Sequence, residues 1–428
     1  MNIESLYSIF KSSTTVTTDS RNCPQGSIFF ALKGDSFDGN KYAKSALEQG
    51  SSYAVVDDAD VVEDDRYILV NNVLKALQDL ANYHRKQFAH PVIGITGSNG
   101  KTTTKELLAT VIKTKYKLLY TQGNLNNHIG VPLTLLQINS NHNMAIIEMG
   151  ANHPNEIAEL CAIAEPDFGI ITNIGKAHLE GFGGFDGVVK TKKELYDFIE
   201  NKGGKVFVNA QDELLMSLSE SLNRTLYNNE DANFAVSVKD ALPTLALNVV
   251  SDTKDVLQTN LVGDYNAINI AVALEVGAFF NIEYPIMKAA LEAYVPSNNR
   301  SQIVKTDANT IILDAYNANP ASMAVAINNF KNLPNQHKVV MLGAMKELGG
   351  YSKDEHQALV DMVNDSNISE KYLVGKEFDI IDRKPETVTF FASTEELKNY
   401  IKENPITDAT ILVKGSRSMK METLIQDL

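Results

Sequence analysis

The sequence predicts an α/β protein of three domains, and three observations support this fold class. The chain has 428 residues, which is too many for one ordinary hydrophobic core. From about residue 90 onward, short β-rich segments alternate with longer segments of helical periodicity, as expected for parallel sheets covered by helices. A glycine-rich loop joins one of these strands to a helix, an arrangement that is typical of phosphate binding.

Residues 1–88 predict a small N-terminal α/β domain, because their pattern differs from that of the rest of the chain. Segments 27–32 and 53–56 are rich in apolar and β-branched residues and are predicted strands. Segments 41–49 and 72–86 carry apolar residues at helical spacing. We therefore expect a separate unit that precedes the alternating region.

Residues 89–296 predict a central domain with a parallel sheet. Its expected strands are short apolar runs of the kind that are buried on both faces. These strands are expected at 92–96, 144–149, 168–173 and 206–209, and the helices between them at 101–115, 155–164 and 186–200. A further apolar run, 267–280, is interrupted by Asn269 and Glu275 and is too short to span a bilayer, so it predicts a buried helix.

Residues 297–428 predict a C-terminal Rossmann-like α/β domain, because a second series of alternating strands and helices begins near residue 310. The polar segment 296–301, PSNNRS, is rich in turn-forming residues and suits a hinge between the two sheets. The strands are expected at 311–314, 339–342, 371–374, 388–391 and 411–413, and the helices at 321–332, 354–365, 394–403 and 418–427.

Composition and charge restrict the partners and the compartment. The net charge of -14 would repel a polyanion, so nucleic-acid binding and attachment to an anionic membrane are not expected, whereas one nucleotide needs only a local pocket. Cys23 and Cys161 lie far apart without metal-type spacing and predict reduced, packed thiols. The N-terminal segment has no basic region followed by an apolar one, so we expect a cytoplasmic protein.

The glycine-rich loop has the sequence VIGITGSNGKTTTKELL, residues 92–108. Gly97 and Gly100 allow a tight turn whose amides, with those of Ser98, Asn99 and Thr103, point into one concavity at a helix start. Lys101 can reach the β- and γ-phosphates of a nucleotide, and the Thr102 hydroxyl can bind Mg²⁺. Ile95 stands where the common pattern has its first glycine, so the loop is a variant form.

Glu148 is the best candidate for a second Mg²⁺ ligand that the residues themselves indicate. It ends an apolar strand whose carboxyl edge should face the phosphate loop, where ligands bind in such sheets. A carboxylate together with the Thr102 hydroxyl suits a hard divalent cation between the β- and γ-phosphates. A surface glutamate is the weaker interpretation, because the surrounding sequence IIEMG is otherwise apolar.

Several longer motifs give the chain a resemblance to a known family. They are GNLNNHIGVPLTLL (123–136), IIEMGANHPNEI (146–157), TNIGKAHLEGFGG (172–184), KTKKELY (190–196), GDYNAINIAVAL (263–274), NNRSQ (298–302), LDAYNANPASM (313–323) and VKGSRSMKME (413–422). In this order they resemble the Mur ligases over almost the whole chain, and segment 18–50 is similar to that family's uridine-nucleotide-binding domain.

The resemblance implies a monomeric, ATP- and Mg²⁺-dependent ligase of peptidoglycan precursor synthesis. Such an enzyme activates the carboxylate of a UDP-N-acetylmuramoyl-tripeptide as an acyl phosphate and joins it to D-alanyl-D-alanine. The alternatives are a related amide ligase with another acceptor, including folylpolyglutamate-type enzymes, or a non-catalytic nucleotide-binding module. A P-loop motor or GTPase is less expected, since no guanine-reading motif follows the loop.

The resemblance also implies roles for residues around the phosphate loop. His178 is implied to hold a second Mg²⁺, although a packed histidine is an equal alternative from the residues alone. Lys192 matches a lysine that is carbamylated in the family and then acts as a metal ligand, while Lys190 and Lys193 suit an exposed helix face. Arg300 is implied to reach the γ-phosphate from the hinge, so that Lys101, His178, Lys192 and Arg300 form the expected catalytic set.

The remaining implied contacts are with the nucleotide and the two peptide substrates. Asn266 and Asp314 are implied on the adenosine side, with Tyr316, Asn317 and Asn319 near the nucleotide or the incoming dipeptide. The other candidates are Asn124, Asn126, Asn127 and His128 for the acyl substrate; Ser20 and Arg21, with Phe37, Asp38 and Gly39, for the uridine diphosphate; and Lys414, Ser416 and Arg417 for the substrate peptide. The loop LGAMKELGG (342–350) departs from the family at Ala344 and Lys346, so no catalytic role is expected for it.

Overall fold

The computed structural model describes residues 1–229, 232–241, 244–250 and 254–428, and it begins with a small α/β unit. The helices of this unit are α1 (Ile3–Ser12), α2 (Ala43–Gln49) and α3 (Val73–Lys86), and its strands are β1 (Val16–Thr17), β2 (Ile28–Phe30), β3 (Lys33–Gly34), β4 (Phe37–Asp38), β5 (Tyr53–Val56) and β6 (Tyr67–Leu69). Strands β1, β2, β5 and β6 form a parallel sheet in the order β1-β2-β5-β6. Both predicted strands and both predicted helices of this region are confirmed.

The last turn of α3 fastens this unit to the rest of the chain. The guanidinium of Arg85 is buried and donates to Ala164 O at 2.9 Å, Glu165 O at 2.9 Å and Asp167 Oδ2 at 3.0 Å. The neighbouring His84 has its Nε2 atom 2.8 Å from Ile138 O. Because each of these bonds lies in a protected environment, the two units are held in a fixed relation.

We expect Arg85→Met to lower the thermal midpoint of unfolding by about 5 °C or more, since it leaves buried acceptors without donors. Differential scanning calorimetry measures the shift. Arg66→Met is the matched control, because Arg66 pairs with Asp64 at the surface and should change the midpoint little. Equal midpoints for the two variants would contradict the role of Arg85.

The central unit contains a parallel sheet with helices on both faces. Its strands are β7 (Val92–Thr96), β8 (Leu118–Tyr120), β9 (Met144–Glu148), β10 (Phe168–Ile171), β11 (Lys205–Asn209), β12 (Arg224–Tyr227), β13 (Ala235–Asp240), β14 (Ala246–Val250) and β15 (Lys254–Gln258). Its helices are α4 (Lys101–Ile112), α5 (Gly130–Leu135), α6 (Glu156–Ala164), α7 (Leu179–Phe182), α8 (Phe185–Lys202), α9 (Glu213–Leu218), α10 (Asn266–Phe279) and α11 (Tyr284–Ala293).

The strand order β12-β11-β10-β7-β9-β8 places the start of the predicted phosphate loop at the middle of the sheet. The chain moves from β7 to one side of the sheet and later returns to the other side of β7 with β10, so this is the topological switch point. Alternate side chains of β9 enter two different hydrophobic clusters: Ile147 packs in one of them and Ile146 in the other. The prediction of a parallel sheet covered on both faces is therefore confirmed.

Two further features of the central unit concern α10 and the segment before it. Helix α10 is almost entirely buried, as predicted, and Glu275 within it accepts hydrogen bonds from Asn233. Strands β13, β14 and β15 form an antiparallel sheet that the sequence did not predict. Among the described residues, no helix has the length and apolarity needed to span a bilayer.

The C-terminal unit is a second α/β layer structure. Its strands are β16 (Gln302–Lys305), β17 (Thr310–Asp314), β18 (Lys338–Gly343), β19 (Glu370–Val374), β20 (Thr389–Phe391) and β21 (Thr410–Lys414), and its helices are α12 (Pro320–Lys331), α13 (Ser352–Asn364) and α14 (Thr394–Glu403). The sheet order is β16-β17-β21-β18-β19-β20, and β16 alone pairs antiparallel. The five predicted strands are confirmed within one or two residues.

The prediction of a helix at 418–427 is wrong. The chain forms two 3₁₀ segments there, Arg417–Met419 and Met421–Asp427. Lys420 between them adopts a left-handed conformation, with φ 52°, which no continuous α-helix accommodates.

Candidate active site

A cleft of about 870 Å³ opens at the carboxyl ends of β7, β9 and β10, where the strand order reverses. The central unit and the C-terminal unit both line it, and the 294–301 connection runs beside it. Most of the predicted central-site residues lie on its wall: Ser98, Asn99, Gly100, Lys101, Thr102, Thr103, Asn124, Asn126, Asn127, His128, Glu148, His178, Asn266, Arg300, Asp314, Tyr316, Asn317, Asn319 and Lys414.

The phosphate loop has the strained geometry that its two glycines permit. Gly97 and Gly100 have φ values of 143° and 79°. A Cβ atom on Gly97 would overlap the Thr172 hydroxyl. Asn173 after β10 fixes the loop, because its carbonyl accepts from Ser98 N at 3.0 Å and its side-chain Oδ1 accepts from Asn99 N at 3.0 Å.

Two positively charged side chains, Lys101 and Arg300, lie at this loop without a hydrogen-bonded anionic partner among the described residues. The ammonium of Lys101 donates to the loop carbonyls of Gly97 at 2.7 Å and Ser98 at 3.2 Å. Burial is the main reason that the pKa of Lys101 is lowered to about 8; the charge of Glu148 opposes this shift, and the charge of Arg300 adds to it. The Arg300 guanidinium stacks 3.8 Å above the Tyr316 ring, and its buried Nε–H has no hydrogen-bond partner. This arrangement suits a polyphosphate anion.

Glu148 provides a buried carboxylate opposite Lys101. Its Oε1 accepts hydrogen bonds from Thr102 Oγ1 at 3.1 Å and from Asn126 Nδ2 at 2.8 Å. Its Oε2 is buried without a hydrogen-bond partner. An oxygen donor left free beside a hydroxyl is what a hard divalent cation needs, so these residues fit Mg²⁺.

Lys105 lies next to this site, although the sequence interpretation gave it no role. Its side chain is fully buried, and its Nζ donates to Thr121 O at 2.7 Å, pairs with Glu106 at 2.9 Å and lies 3.9 Å from Glu148 Oε2. Lys105 stands one helical turn after Thr102 on the inner face of α4. That helical spacing was the available signal, because a buried lysine needs an anionic or carbonyl partner.

His178 makes a contact that the sequence did not predict. Its Nδ1 forms a hydrogen bond with Glu347, which comes from the loop 342–350 of the C-terminal unit. This bond lowers the pKa of the Glu347 carboxyl. Within the described parts of the chain, no three His, Cys, Asp or Glu side chains converge as a metal cluster. The loop for which no role was expected therefore reaches the cleft.

Lys192 lies on the inner face of α8 behind the cleft. It is 2% exposed, and among the described residues its ammonium has no hydrogen-bond or ion-pair partner, only the Phe182 ring 5.5 Å away. Burial lowers the pKa of Lys192 to about 7, with a smaller contribution from the charge of Lys101. Lys193 is half-exposed and pairs with Asp197, as predicted for an outward-facing residue.

Polar contacts tie the hinge to the C-terminal sheet. The Tyr265 hydroxyl lies 2.7 Å from Ser301 Oγ, and Ser301 N donates to Asp314 Oδ1 at 3.2 Å. Asp314 Oδ2 also accepts from the buried Lys414 ammonium at 2.6 Å. The predicted nucleotide residue Asp314 and the predicted peptide residue Lys414 are thus a single ion pair at the edge of the sheet.

Two of the amide side chains that were predicted to contact ligands bond to protein groups in the structure. Asn319 donates to Asn99 Oδ1 at 2.8 Å, across the two units, and also caps α12 in the manner expected for the turn before Pro320 and Ser322. Asn127 uses its Oδ1 to accept from Gly130 N, which is a turn role. Asn269 was missed, although it bonds to both Asn266 and Thr104 and lines the cleft.

Several predicted residues do not line the cleft: Ser20, Arg21, Phe37, Asp38, Gly39, Gly97, Lys192, Ser416 and Arg417. Arg21 is exposed and pairs with Asp19, and the Ser416 hydroxyl accepts from Lys346 N at 3.0 Å. A second cavity, of about 880 Å³, lies between the first two units and is lined by residues 17–19, which directly precede Ser20 and Arg21. Cys23 and Cys161 are free and buried, as predicted.

Models of three known protein domains match the chain. The Mur ligase family catalytic domain matches residues 13–86, the Mur ligase middle domain matches 95–277, and the Mur ligase glutamate ligase domain matches 299–417. Together these matches span all three units.

Individual proteins are similar over nearly the full length. The UDP-N-acetylmuramoyl-tripeptide–D-alanyl-D-alanine ligase of Bacillus subtilis is 33% identical, over 96% of this chain and 92% of that protein. The enzyme of the same name from Escherichia coli is 32% identical, over 96% and 93% of the two chains.

Solved structures agree with the sequence comparison. A crystal structure of MurF from Acinetobacter baumannii superposes with a TM-score of 0.87 at 29% identity, covering 100% of this chain and 98% of that one. The MurF ligase of Thermotoga maritima in complex with ADP gives 0.86 at 26% identity, covering 98% and 97%. The expected fold class, three α/β units with a phosphate loop in the central one, is confirmed, and the chain belongs to the Mur ligase family.

Proposed function

We propose that this chain is the ATP-dependent ligase that adds D-alanyl-D-alanine to UDP-N-acetylmuramoyl-tripeptide, giving the pentapeptide precursor of peptidoglycan. The observation that carries the proposal is the cleft in which the phosphate loop, Glu148 and Arg300 meet between two units. Its geometry suits phosphoryl transfer. The relatives that match this chain over nearly its full length are named for this activity.

The triphosphate of ATP fits the cationic end of the cleft. The Lys101 ammonium would exchange its bonds to the loop carbonyls for bonds to phosphate oxygens. Arg300 would donate to the phosphates through its Nε–H, which has no partner in the protein. Thr102 and Glu148 would hold Mg²⁺, which neutralises charge between the β- and γ-phosphates when it is bound. The adenosine would lie toward Asn266, Asp314 and Tyr316, on the hinge side of the cleft.

The proposed reaction has two steps. The tripeptide carboxylate attacks the γ-phosphorus, the bond to the bridging oxygen breaks, and ADP leaves with that electron pair. The dipeptide amine, after losing one proton, attacks the acyl carbon, the carbon–oxygen bond breaks, and inorganic phosphate leaves as the nitrogen gives up a second proton. Lys101 and Arg300 stabilise the charge on the transferred group, and the surrounding amides exclude competing orientations.

We also propose contacts for the uridine diphosphate and the two peptide substrates. The uridine diphosphate would bind at the N-terminal unit near Ser20, Arg21, Phe37, Asp38 and Gly39, beside the second cavity. Asn124, Asn126 and Asn127 would face the acyl substrate, while Asn317, Asn319, Lys414 and Ser416 would face the peptides. We place the reaction in the cytoplasm, because ATP is available there and two buried free thiols suit a reducing compartment. We also propose that the enzyme acts as a monomer.

We also propose that Lys192 carries a carbamate. A buried amine whose pKa is lowered to about 7 exists in part, at neutral pH, as the neutral nucleophile that CO₂ requires. The resulting anion would offset the charge of Lys101, which contributes to the lowered pKa of Lys192, and with His178 it would be available as a Mg²⁺ ligand.

Phosphate release measured across acceptors tests the function. With ATP, Mg²⁺ and UDP-N-acetylmuramoyl-tripeptide, we expect release with D-alanyl-D-alanine and little with single amino acids. Chelating Mg²⁺ should abolish it. Release with glutamate and a folate instead would assign the alternative ligase, and ATP binding without release under any condition would indicate a non-catalytic nucleotide-binding module.

A further inference from the structure

We propose that Glu347 binds the ammonium group of the incoming amine substrate and so selects and orients it. This inference rests on the proposed ligase function and adds a residue to it. It concerns recognition of charge, and the transfer of protons is left to solvent and phosphate.

The loop that carries Glu347 is built to present it. Ala344 N donates to Val374 O at 2.8 Å, Met345 N donates to His356 Nε2 at 3.1 Å, and Lys346 N donates to Ser416 Oγ at 3.0 Å. Three successive amides are therefore fixed to three different elements of the C-terminal unit. Glu347 follows them in a left-handed conformation, with φ 62°. A non-glycine residue holds this conformation only where its surroundings impose it.

Among the described residues, no side chain of the C-terminal unit pairs with Glu347, so its one ionic partner is His178 across the cleft. Among the described residues that line the cleft, the C-terminal unit contributes two carboxylates, Asp314 and Glu347. Asp314 is engaged by the buried Lys414 ammonium at 2.6 Å. The Glu347 side chain is 57% exposed and touches only His178 of the opposite unit, a partner that a cation can displace or share.

The chemistry of the acceptor requires such an anion. A free α-amino group, with a pKa of roughly 7.7–8.0, is mainly an ammonium at neutral pH. The phosphate end of the cleft presents the cations Lys101 and Arg300, which suit phosphates and would repel an ammonium. A carboxylate on the C-terminal unit, facing His178, attracts the amine away from these cations and toward the acyl group.

The test separates binding of the amine from activation of the carboxylate. Glu347→Gln keeps the shape of the side chain and removes its charge. We expect the KM for D-alanyl-D-alanine to rise about tenfold or more, since a charge-assisted hydrogen bond is lost. The KM values for ATP and for the tripeptide should stay within about twofold, and Glu347→Asp should recover part of the loss.

Hydroxylamine supplies the decisive readout, because it is a small neutral nucleophile that traps acyl phosphates as hydroxamates without an ammonium-binding site. Glu347→Gln should form hydroxamate from ATP and tripeptide at the rate of the unmodified chain. A parallel loss of hydroxamate would show that Glu347 acts on phosphoryl transfer or on domain closure, and would overturn the proposal. Absence of hydroxamate with the unmodified chain would instead refute the acyl-phosphate function itself.

Glu355→Gln is the matched control. Glu355 lies on the same face between the units and pairs with Lys176 at 3.2 Å, but it does not line the cleft. If contacts between the units account for the effect, Glu355→Gln will raise the KM for the dipeptide by a similar factor. An unchanged KM in this variant, with a raised KM in Glu347→Gln, supports recognition of the amine.

Discussion

Lys101→Ala is expected to reduce ATP-dependent amide formation by about 10³-fold or more, the largest effect of any single change in this chain. Removal of one preorganised charge from a phosphoryl-transfer site costs roughly 10²–10³ in rate, and Lys101 also binds the ground-state triphosphate. Its ammonium is held by Gly97 O and Ser98 O at the centre of the loop, so no neighbouring cation occupies the same position. Phosphate release in the presence of both substrates measures the effect.

The variant is expected to fold normally. Burial already lowers the pKa of Lys101 to about 8, so the folded chain gains little from its charge when no nucleotide is bound. Circular dichroism and the thermal midpoint provide the check. Lys113→Ala, at the exposed end of the same helix, is the control and should keep full turnover. Turnover of Lys101→Ala within tenfold of the unmodified chain would refute the assignment of the loop.

Lys192→Met is expected to lower turnover by about 10²-fold or more, because it removes the amine that we propose to be carbamylated. Direct detection is available through nuclear magnetic resonance with ¹³C-labelled bicarbonate. The chain without substitutions should show one protein-bound carbamate signal that Lys192→Met lacks. Lys193→Met is the control, since Lys193 pairs with Asp197 at the surface and should preserve both the signal and the rate.

The pH dependence of the carbamate follows from the environment of Lys192. Its pKa is lowered to about 7, so the amine is mainly an ammonium at pH 6 and mainly neutral at pH 8. Only the neutral amine reacts with CO₂, so the signal should grow from pH 6 to pH 8 and decline as the pH is lowered again. A signal that persists in Lys192→Met, or none at any pH, would disprove the modification.

The parts of the site that depend on local sequence could be predicted. The phosphate loop is contiguous, and its glycines, lysine and threonine lie at a strand-to-helix junction that the local sequence indicates. Glu148 could be placed because the carboxyl ends of parallel strands meet at one edge of a sheet. The antiparallel sheet β13–β15 was not predicted, because its two short edge strands, β13 and β15, bury few side chains and carry a weak periodic signal.

Other parts depend on contacts between distant segments. The His178–Glu347 hydrogen bond joins residues 169 positions apart, and nothing local to either residue indicates the other. Lys105 and Asn269 illustrate the same point. Each lies in a predicted helix, but the approach of Lys105 to Glu148 and the hydrogen bond of Asn269 with Thr104 join segments that are distant in sequence.

The sequence alone determined the α/β class, the nucleotide site and the membership of the Mur ligases, because glycine geometry, strand periodicity and contiguous motifs are local properties of the chain. The tertiary structure decided which charges pair around the cleft: Asp314 pairs with Lys414 of its own sheet, whereas Glu347 pairs with His178 of the central unit. The physical reason is that the Coulomb energy depends on distance in space and on burial, and both are set only when the central and C-terminal sheets meet.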